Sequence, residues 1–266
     1  MIINDIYHGD CVQIMKELIE KNSISLIFAD PPYNLSGNTL KLENNQTGGA
    51  FYKVNEVWDT FTYDDYVRFT EQWLKACQEV LKENGSLYIS CTQHNIGEIL
   101  TIGKQLGFKL NNILTWYKTN AMPNITKRTY THSVEFVCWF VKGKKWVFNY
   151  EEVKRLNPNK TKNGEHKQMR DFLDFIELPI VQGKERLRGE DGRALHPTQK
   201  PEKLLELIIK ASSNEGDLVL DPFFGTGTTG YVAQKLNRNW IGIEQNTEYL
   251  KIANKRIQSL NEELSL

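Results

Sequence analysis

The sequence predicts an α/β fold, in which helices cover both faces of a mostly parallel, twisted sheet. Apolar, β-branched runs bounded by turn residues recur along the chain, as in the strands of a buried parallel sheet. Segments with helical spacing lie between these runs. The 266 residues are 40% hydrophobic and 25% charged, which is ordinary for a globular protein. This composition excludes fibrous, disordered and disulfide-scaffold classes.

The predicted elements follow one another in a regular order. Residues 23–29 form a continuous apolar run that predicts a buried strand. Apolar residues then recur at helical spacing from Tyr63 to Leu81, before Gly85. The remaining predictions are strands at 86–91, 113–117, 135–141 and 217–221, helices at 95–106 and 202–211, a helix ending at Leu236, and a strand ending at Glu244. Residues 151–193 are polar and show no such periodicity.

Targeting and cysteine patterns give further expectations. No apolar run reaches the roughly 18 residues of a membrane span, and the first residues lack the pattern of a signal peptide. We therefore expect a cytoplasmic protein without membrane association. The four cysteines lack metal-ligand spacing, so neither a metal site nor a disulfide is predicted.

Charge is unevenly distributed although the net charge is zero. Residues 118–170 carry twelve Lys or Arg against four Glu, a local charge of +8. Tyrosines and tryptophans are interspersed among these cations, as on a surface that follows phosphates and stacks on bases. A solvated face without a partner is the alternative.

A rare tetrad follows the first predicted strand. Asp30, Pro31, Pro32 and Tyr33 stand at the carboxyl end of that strand, where open α/β sheets bind ligands. The two prolines stiffen the turn and remove two backbone donors. A carboxylate, a carbonyl and an aromatic ring can together hold an exocyclic amino group while a planar base stacks on the ring. A strand-ending turn with a core tyrosine is the structural alternative.

A glycine-rich loop follows the strand at 217–221. Gly225, Gly227 and Gly230 match GxGxxG, and Glu244 lies at the end of the next strand, as in nucleotide-binding folds. Only 36 residues follow Gly230, too few for the second half of a dinucleotide-binding domain. The loop therefore predicts a site for a single nucleoside with a short tail.

Together the two loops resemble those of the S-adenosylmethionine-dependent amino DNA methyltransferases. The order of the motifs is similar to that of the circularly permuted beta group: the tetrad comes first, residues 196–201 (HPTQKP) follow, and the glycine loop lies near the end. Within that group, the chain resembles the short second methyltransferases of GATC restriction systems. The resemblance implies a Rossmann-like fold, S-adenosylmethionine as cofactor and DNA as substrate. It places the catalytic and cofactor-binding parts in residues 1–117 and 196–266. Residues 118–195 would hold late strands and the basic target-recognition region.

The resemblance also implies roles for individual residues. Asp30 and the Pro31 carbonyl would accept hydrogen bonds from adenine N6, and Tyr33 would stack on the flipped base. The predicted cofactor residues are Asp10, Thr198, Lys200, Asp221, Phe223, Gly225, Gly227, Thr228 and Glu244. Among them, Asp10 would face the adenine amine, although an ordinary turn aspartate is the alternative. The predicted DNA contacts are Lys118, Asn120, Asn124, Lys127, Arg128, Lys142, Lys144 and Lys145.

Several functional alternatives stay open at this point. Cytosine N4 is the rival acceptor, although N4 members of the family usually have Ser in place of Asp30. A catalytically silent DNA-binding module is a second alternative, but it would need neither motif. Residues 119–124 and 131–133 resemble short adenine methyltransferases that act within GATC or GANTC sites, in particular the second methyltransferases of GATC restriction systems. The resemblance therefore favours GATC as the target sequence, with GANTC next. Action on single strands as well as duplexes, a homodimer and a cognate restriction endonuclease are further implications of the resemblance.

Overall fold

The computed structural model describes residues 1–33, 41–42, 51–52, 61–121, 123–124, 127–173, 178–183, 185–189, 192 and 199–264. Seven strands form the central sheet in the order β1-β9-β8-β2-β5-β7-β6. Their bounds are β1 Asp5–His8, β2 Ile24–Ala29, β5 Leu81–Cys91, β6 Lys109–Tyr117, β7 Val134–Val141, β8 Leu218–Asp221 and β9 Asn239–Glu244. A separate two-stranded sheet pairs β3 Lys41–Leu42 with β4 Phe51–Tyr52.

Helices cover both faces of the central sheet, as the sequence predicts. They are α1 Cys11–Leu18, α2 Tyr63–Val80, α3 Ile96–Gln105, α4 Tyr150–Arg155, α5 Glu202–Ser212, α6 Thr228–Lys235 and α7 Thr247–Leu264. One apolar cluster joins α1, α2 and α3 to one face, and a second joins α4, α5, α6 and α7 to the other. Strand β2 serves both clusters, because Ile27 faces the first while Leu26 and Phe28 face the second.

Strand β7 is the exception to the parallel arrangement. It runs antiparallel to β5 and to β6, whereas β1, β9, β8, β2 and β5 are mutually parallel. The chain leaves β5, reaches the edge strand β6 through α3, and returns through β7 between the two. Residues 118–133 therefore connect β6 to β7 at the edge where the parallel strands end. The residues that follow β7 lie at the opposite edge.

The predicted elements are present, but several begin or end elsewhere. Strand β5 begins at Leu81, directly after α2, and β6 begins at Lys109, so both are longer than predicted. The sequence pattern did not predict α1, α4 or α7. Helix α4 spans six residues within the polar segment, and Val153 is the one buried residue of this helix. A single buried position gives no periodic signal.

A search of the described helices found none with the length and apolarity required to span a membrane.

Candidate active site

Three carboxylates lie at the carboxyl ends of three neighbouring strands. Asp30 follows β2, Asp221 ends β8 and Glu244 ends β9. From β8 the chain passes through α6 to β9 on one side, whereas from β2 it passes through α2 to β5 on the other. The reversal of strand order between β8 and β2 opens the crevice in which such sheets bind ligands. The structure thus brings the tetrad and the glycine loop together at one edge, which we call the catalytic edge.

The tetrad is held by side chains from distant segments. The Tyr33 hydroxyl donates to Asp30 Oδ1 at 2.6 Å and lies 2.8 Å from Ser90 Oγ in β5. The Lys200 ammonium donates to Asp30 Oδ2 at 2.7 Å. Burial and the neighbouring Asp30 carboxylate raise the pKa of Tyr33, so its hydroxyl keeps its proton and remains a donor. Both oxygens of Asp30 therefore have partners, and each retains a further lone pair for an incoming amino group.

Asp221 is buried at the base of the crevice. Its Oδ1 accepts from the Phe223 backbone amide at 2.9 Å, and its Oδ2 accepts from the Thr229 hydroxyl at 2.5 Å. Burial raises the pKa of Asp221 to about 7 in spite of these hydrogen bonds, and the nearby Asp30 and Glu244 carboxylates contribute. A positively charged ligand beside Asp221 would favour its ionised form.

Glu244 is hydrogen-bonded to the glycine loop. Its Oε2 accepts from the Gly225 amide and its Oε1 from the Asn246 amide, each at 2.7 Å. Burial raises the pKa of Glu244 above its usual value, and the backbone hydrogen bonds oppose that shift. A carboxylate offers about four lone-pair positions, so two remain for ribose hydroxyls. The predicted ribose role is compatible with this geometry and stays a prediction.

Gly227 is required by packing as well as by backbone conformation. It precedes α6 with φ +80°, a left-handed value that favours glycine. A Cβ at this position would lie 3.1 Å from the Phe224 ring and 3.2 Å from Ala253 Cβ in α7. The side chain of a valine there would press on α7, so that substitution would test packing and not cofactor approach.

Two other predicted cofactor residues of this loop face protein partners. The Phe223 ring packs edge-on against Trp73 of α2, with ring centroids 5.4 Å apart. The Thr228 hydroxyl accepts from Arg256 Nη1 at 2.9 Å. Direct contact of either side chain with the cofactor stays a prediction.

Arg256 is a residue of the site that sequence reasoning missed. Its buried guanidinium lies beneath the glycine loop, donates to Glu202 Oε1 at 2.8 Å and stacks on the Tyr231 ring at 4.6 Å. It thereby ties α5, α6 and α7 to the loop. No sequence signal reveals this role, because Arg256 lies 28 residues from Thr228 and 54 from Glu202.

Lys200 has a partner that the sequence does not predict. Its ammonium pairs with Asp30 and is only 5% exposed, and its predicted contact with the methionine carboxylate of the cofactor stays a prediction. The physical reason is that a buried cation needs an adjacent anion, and Asp30 supplies it. Thr198, the other predicted donor of this segment, lies outside the described residues.

Asp10 caps a helix that the sequence pattern did not predict. Its Oδ1 accepts from the Gln13 amide at 2.8 Å, at the N-terminus of α1. The preceding Gly9 amide donates to the Glu244 carbonyl at 3.1 Å, so Asp10 lies close to the end of β9. Capping accounts for an aspartate here, and its predicted contact with the cofactor adenine stays open.

The predicted DNA contacts near the catalytic edge divide into two groups. Lys118 is paired with Glu135 at 3.1 Å, and the Asn120 amide exchanges hydrogen bonds with the Ile180 backbone. Their functional groups have protein partners here, and their predicted contacts with DNA stay predictions. The Asn124 amide donates to Thr129, whereas Lys127 and Arg128 are exposed.

The remaining predicted DNA contacts lie elsewhere. Lys142, Lys144 and Lys145 follow β7 and stand at the opposite edge of the sheet from Asp30. The Lys142 ammonium donates to Asn22 Oδ1 at 2.7 Å and to the Leu81 carbonyl at 2.9 Å. The expectation that they share one basic surface with Lys127 and Arg128 is therefore wrong, because β7 is antiparallel.

The site fits the cofactor that the motifs predict. The described residues hold no group of three or more His, Cys, Asp or Glu side chains arranged to bind a metal ion. The catalytic edge instead presents Asp221 and Glu244 beside Asp30, and carboxylates suit a nucleoside that carries a sulfonium and an ammonium group. S-adenosylmethionine has these groups, and its ribose hydroxyls can donate hydrogen bonds to Glu244.

Comparison with known proteins decides the family. The sequence profile of the N6/N4 DNA methylase family, described as DNA methylase, matches residues 24–255. The chain belongs to this family. It is a DNA methyltransferase that takes its methyl group from S-adenosylmethionine, and the family membership predicted from its two motifs is confirmed.

Individual relatives support this assignment along nearly the whole chain. The type II methyltransferase M.HinfI of Haemophilus influenzae is 41% identical over 97% of this methyltransferase and 69% of its own length. The type II methyltransferase M2.DpnII of Streptococcus pneumoniae is 40% identical over 96% of this chain and 90% of its own.

Solved structures share the fold. A complex of M1.HpyAVI with S-adenosylmethionine is 30% identical, with a TM-score of 0.66 over 95% of this chain and 98% of its own. The cytosine-N4-specific PvuII DNA methyltransferase has a TM-score of 0.71 at 20% identity, over 97% of this chain and 90% of its own. The second likeness concerns the fold alone. Together they confirm the predicted Rossmann-like architecture.

Proposed function

We propose that this methyltransferase modifies N6 of an adenine that has been flipped out of a specific DNA site. The observation that carries the proposal is the position of Asp30, whose carboxylate lies beside Asp221 on the next strand and is held by Lys200 and Tyr33. An oriented acceptor next to the predicted cofactor pocket supports methyl transfer to an exocyclic amine. Bound S-adenosylmethionine supplies an electrophilic methyl group.

The residues of the tetrad supply orientation and electrostatic stabilisation. The lone pair of an exocyclic amine is delocalised into the base, so the amine is a poor nucleophile. A hydrogen bond from N6 to Asp30 becomes stronger as positive charge develops on the nitrogen, which stabilises the transition state selectively. Tyr33 lies where its ring can stack on the base, and the stiff turn at Pro31 and Pro32 limits the movement of both side chains. The methylated amine is acidic enough to lose its proton without a dedicated base.

Asp30 supports adenine over cytosine as the target base. An aspartate at the first position of the tetrad, in place of the serine usual for N4 enzymes, favours N6. The solved structure with the N4 name is similar in fold alone, so it does not bear on the choice of base.

The connection at 118–133 is the proposed approach for DNA. It joins β6 to β7 at the catalytic edge and carries the exposed Lys127 and Arg128. Tyr130, between these cations and β7, is 96% exposed. Exposed cations bind phosphates, and an exposed aromatic ring can stack on bases.

The names of the relatives support a role in restriction and modification. M.HinfI and M2.DpnII are both named type II methyltransferases. We extend that role to this chain, with GATC as the first target sequence to test and GANTC as the second. Action on single strands, homodimerisation, a cognate endonuclease and a cytoplasmic location remain predictions.

Product analysis tests the proposed reaction. The protein would be incubated with S-adenosylmethionine carrying a tritiated methyl group and with duplexes that contain either GATC or GANTC. After digestion to nucleosides, we expect N6-methyladenine from one of the two. N4-methylcytosine as the product would overturn the choice of base.

A further inference from the structure

Four side chains of alternating charge form a continuous row along the catalytic edge. In order they are Lys118 directly after β6, Glu135 in β7, Lys200 before α5 and Asp30 after β2. Successive members lie 3.1 Å, 3.8 Å and 2.7 Å apart between charged atoms. We call this set the charged row. It ends at the Asp30 carboxylate, the proposed acceptor for the target amine.

Lys200 is the most buried member of the row. Burial alone would disfavour its charge, but the Asp30 and Glu135 carboxylates outweigh that effect and raise the pKa of Lys200. Its ammonium also lies 5.4 Å from the centre of the Tyr33 ring. Lys200 therefore contacts both functional side chains of the tetrad, and its charge is maintained by the carboxylates around it.

One carboxylate oxygen of Glu135 has no hydrogen-bond partner among the described residues. Its Oε1 accepts from Lys118, whereas Oε2 is buried and has no hydrogen-bond partner among the described residues. An unsatisfied buried carboxylate oxygen is costly. The charged group facing this oxygen is Lys200, at 3.8 Å, beyond hydrogen-bond distance but close enough for strong attraction at low exposure.

We propose that Lys200 is a positioning residue for Asp30, and that Glu135 holds Lys200 in place through its charge. The inference rests on the proposed role of Asp30. Lys200 fixes one oxygen of Asp30, Tyr33 fixes the other, and the orientation of the carboxylate is set before the base arrives. Preorganisation of this kind reduces the reorganisation required in the transition state. Lys200 then acts on the base side of the crevice and not on the cofactor.

The charges around Asp30 determine what each substitution should change. Asp30 faces Tyr33 in its own loop, Lys200 before α5 and Asp221 in β8, and Glu135 in β7 faces Lys200. Removing the Lys200 cation takes away the donor that orients Asp30 Oδ2. Removing the Glu135 anion leaves that donor present but without its second anion, so Lys200 is held less firmly. Both changes should lower the rate of methyl transfer, and the first should lower it more.

Three variants test the proposal: Lys200→Met, Lys200→Arg and Glu135→Gln. We expect Lys200→Met to lower the single-turnover rate at saturating S-adenosylmethionine by about tenfold or more, with its Kd changed by less than about twofold. Glu135→Gln should lower the same rate by about threefold, less than Lys200→Met does, also with the Kd nearly unchanged. Lys200→Arg should recover part of the rate because it restores the cation.

Other results would overturn the inference. If Lys200→Met weakens cofactor binding about tenfold or more while its saturated rate is normal, Lys200 acts on the cofactor. If Glu135→Gln lowers the saturated rate more than Lys200→Met does, Glu135 does not act through Lys200. Should Lys200→Met fail to fold, as thermal unfolding would show, the saturated rate of Glu135→Gln still decides, because a normal rate in that variant contradicts the proposal. Failure of the proposed function is separate, because the wild-type protein would then form no N6-methyladenine.

Discussion

The two halves of the crevice are built in different ways. In the cofactor half, formed by the loops after β8 and β9, the hydrogen-bonded partners of the two carboxylates are close in sequence. Asp221 is 2 residues from Phe223 and 8 residues from Thr229. Glu244 is 19 residues from Gly225. In the base half, which comprises Asp30, Tyr33 and their partners, Tyr33 and Ser90 are 57 residues apart and Asp30 and Lys200 are 170.

The difference is also chemical. In the cofactor half, Asp221 and Glu244 accept from three backbone amides and from the Thr229 hydroxyl, so most of its geometry follows from the turns themselves. The base half uses side chains of opposite charge from separate segments, so its geometry depends on the assembled sheet. A change in the first half should therefore affect cofactor affinity, and a change in the second half should affect the rate of methyl transfer.

The largest expected effect is the loss of Asp30. Asp30→Ala should lower the single-turnover rate of methyl transfer by on the order of a hundredfold or more, because it removes the acceptor that stabilises the charge developing on N6. Cofactor affinity, measured by calorimetry, should be nearly unchanged. Asp30→Asn keeps one carbonyl acceptor and should retain more activity. Near-normal formation of N6-methyladenine by Asp30→Ala would contradict the division between the two halves.

Glu244→Ala should have the opposite pattern. Loss of a charged acceptor for the ribose and for the Gly225 amide should weaken cofactor binding by about 1.5–3 kcal/mol, or roughly 10- to 150-fold. Glu248→Ala is the matched control, since Glu248 is an exposed carboxylate in the first turn of α7. Titration calorimetry compares them. Equal affinities in the two variants would show that Glu244 is structural.

Asp221 should give the cofactor half a pH dependence. With its pKa near 7, the fraction ionised rises about tenfold between pH 6 and pH 8, and affinity for the positively charged cofactor should rise with it. In Asp221→Asn the affinity should no longer rise with pH. Any pH dependence that remains in this variant comes from titration of the cofactor itself.

Unfolding provides a second check on Asp221. A raised pKa means that the folded protein holds this proton more tightly than the unfolded chain does. The stability contributed by protonated Asp221 is therefore full at acidic pH and is lost as pH rises from about 4 towards 7. Chemical denaturation of the wild type and Asp221→Asn should show a difference that changes through this window. A constant difference would mean that Asp221 is ionised throughout.

The two edges of the sheet supply a matched test of DNA binding. Replacing Lys127 and Arg128 with Ala should flatten the log–log salt dependence of DNA affinity by about 0.9 for each phosphate that is no longer neutralised. Replacing Lys144 and Lys145 with Ala removes the same charge at the opposite edge and should leave that slope nearly unchanged. Binding would be measured at several salt concentrations. Equal changes in both double variants would place DNA on both edges.

The smallest expected effect is that of the Tyr33 hydroxyl. Tyr33→Phe removes the hydrogen bonds to Asp30 and Ser90 but keeps the ring, so the rate should fall only by a few-fold. Tyr33→Ala should weaken capture of the flipped base further, because the stacking ring is absent. Single-turnover rates over a range of DNA concentrations separate these outcomes. If Tyr33→Phe lowers the rate more than Lys200→Met does, the Tyr33 hydroxyl is the main support of Asp30.

The contrast also explains what could be predicted from the sequence. Both loops could be located because each follows an apolar run that predicts a strand, and the strand order then brings Asp30 and Asp221 together. The hydrogen bond between Lys200 and Asp30 could not be predicted because it spans 170 residues. Lys142, Lys144 and Lys145 were placed on the DNA surface because strand direction cannot be read from apolar runs. Arg256 was missed because a single arginine in a polar helix carries no local signal.

The position of β8 has a consequence for synthesis of the protein. In the finished sheet β8 covers one edge of β2, and β9 pairs with both β8 and β1. While the ribosome is still making residues before 218, β2 has an open edge and β1 has no neighbour. Unpaired strand edges favour aggregation, so the nascent chain passes through a vulnerable interval. Because Asp221 and Glu244 arrive with β8 and β9, cofactor binding also becomes available only after these two strands have been made.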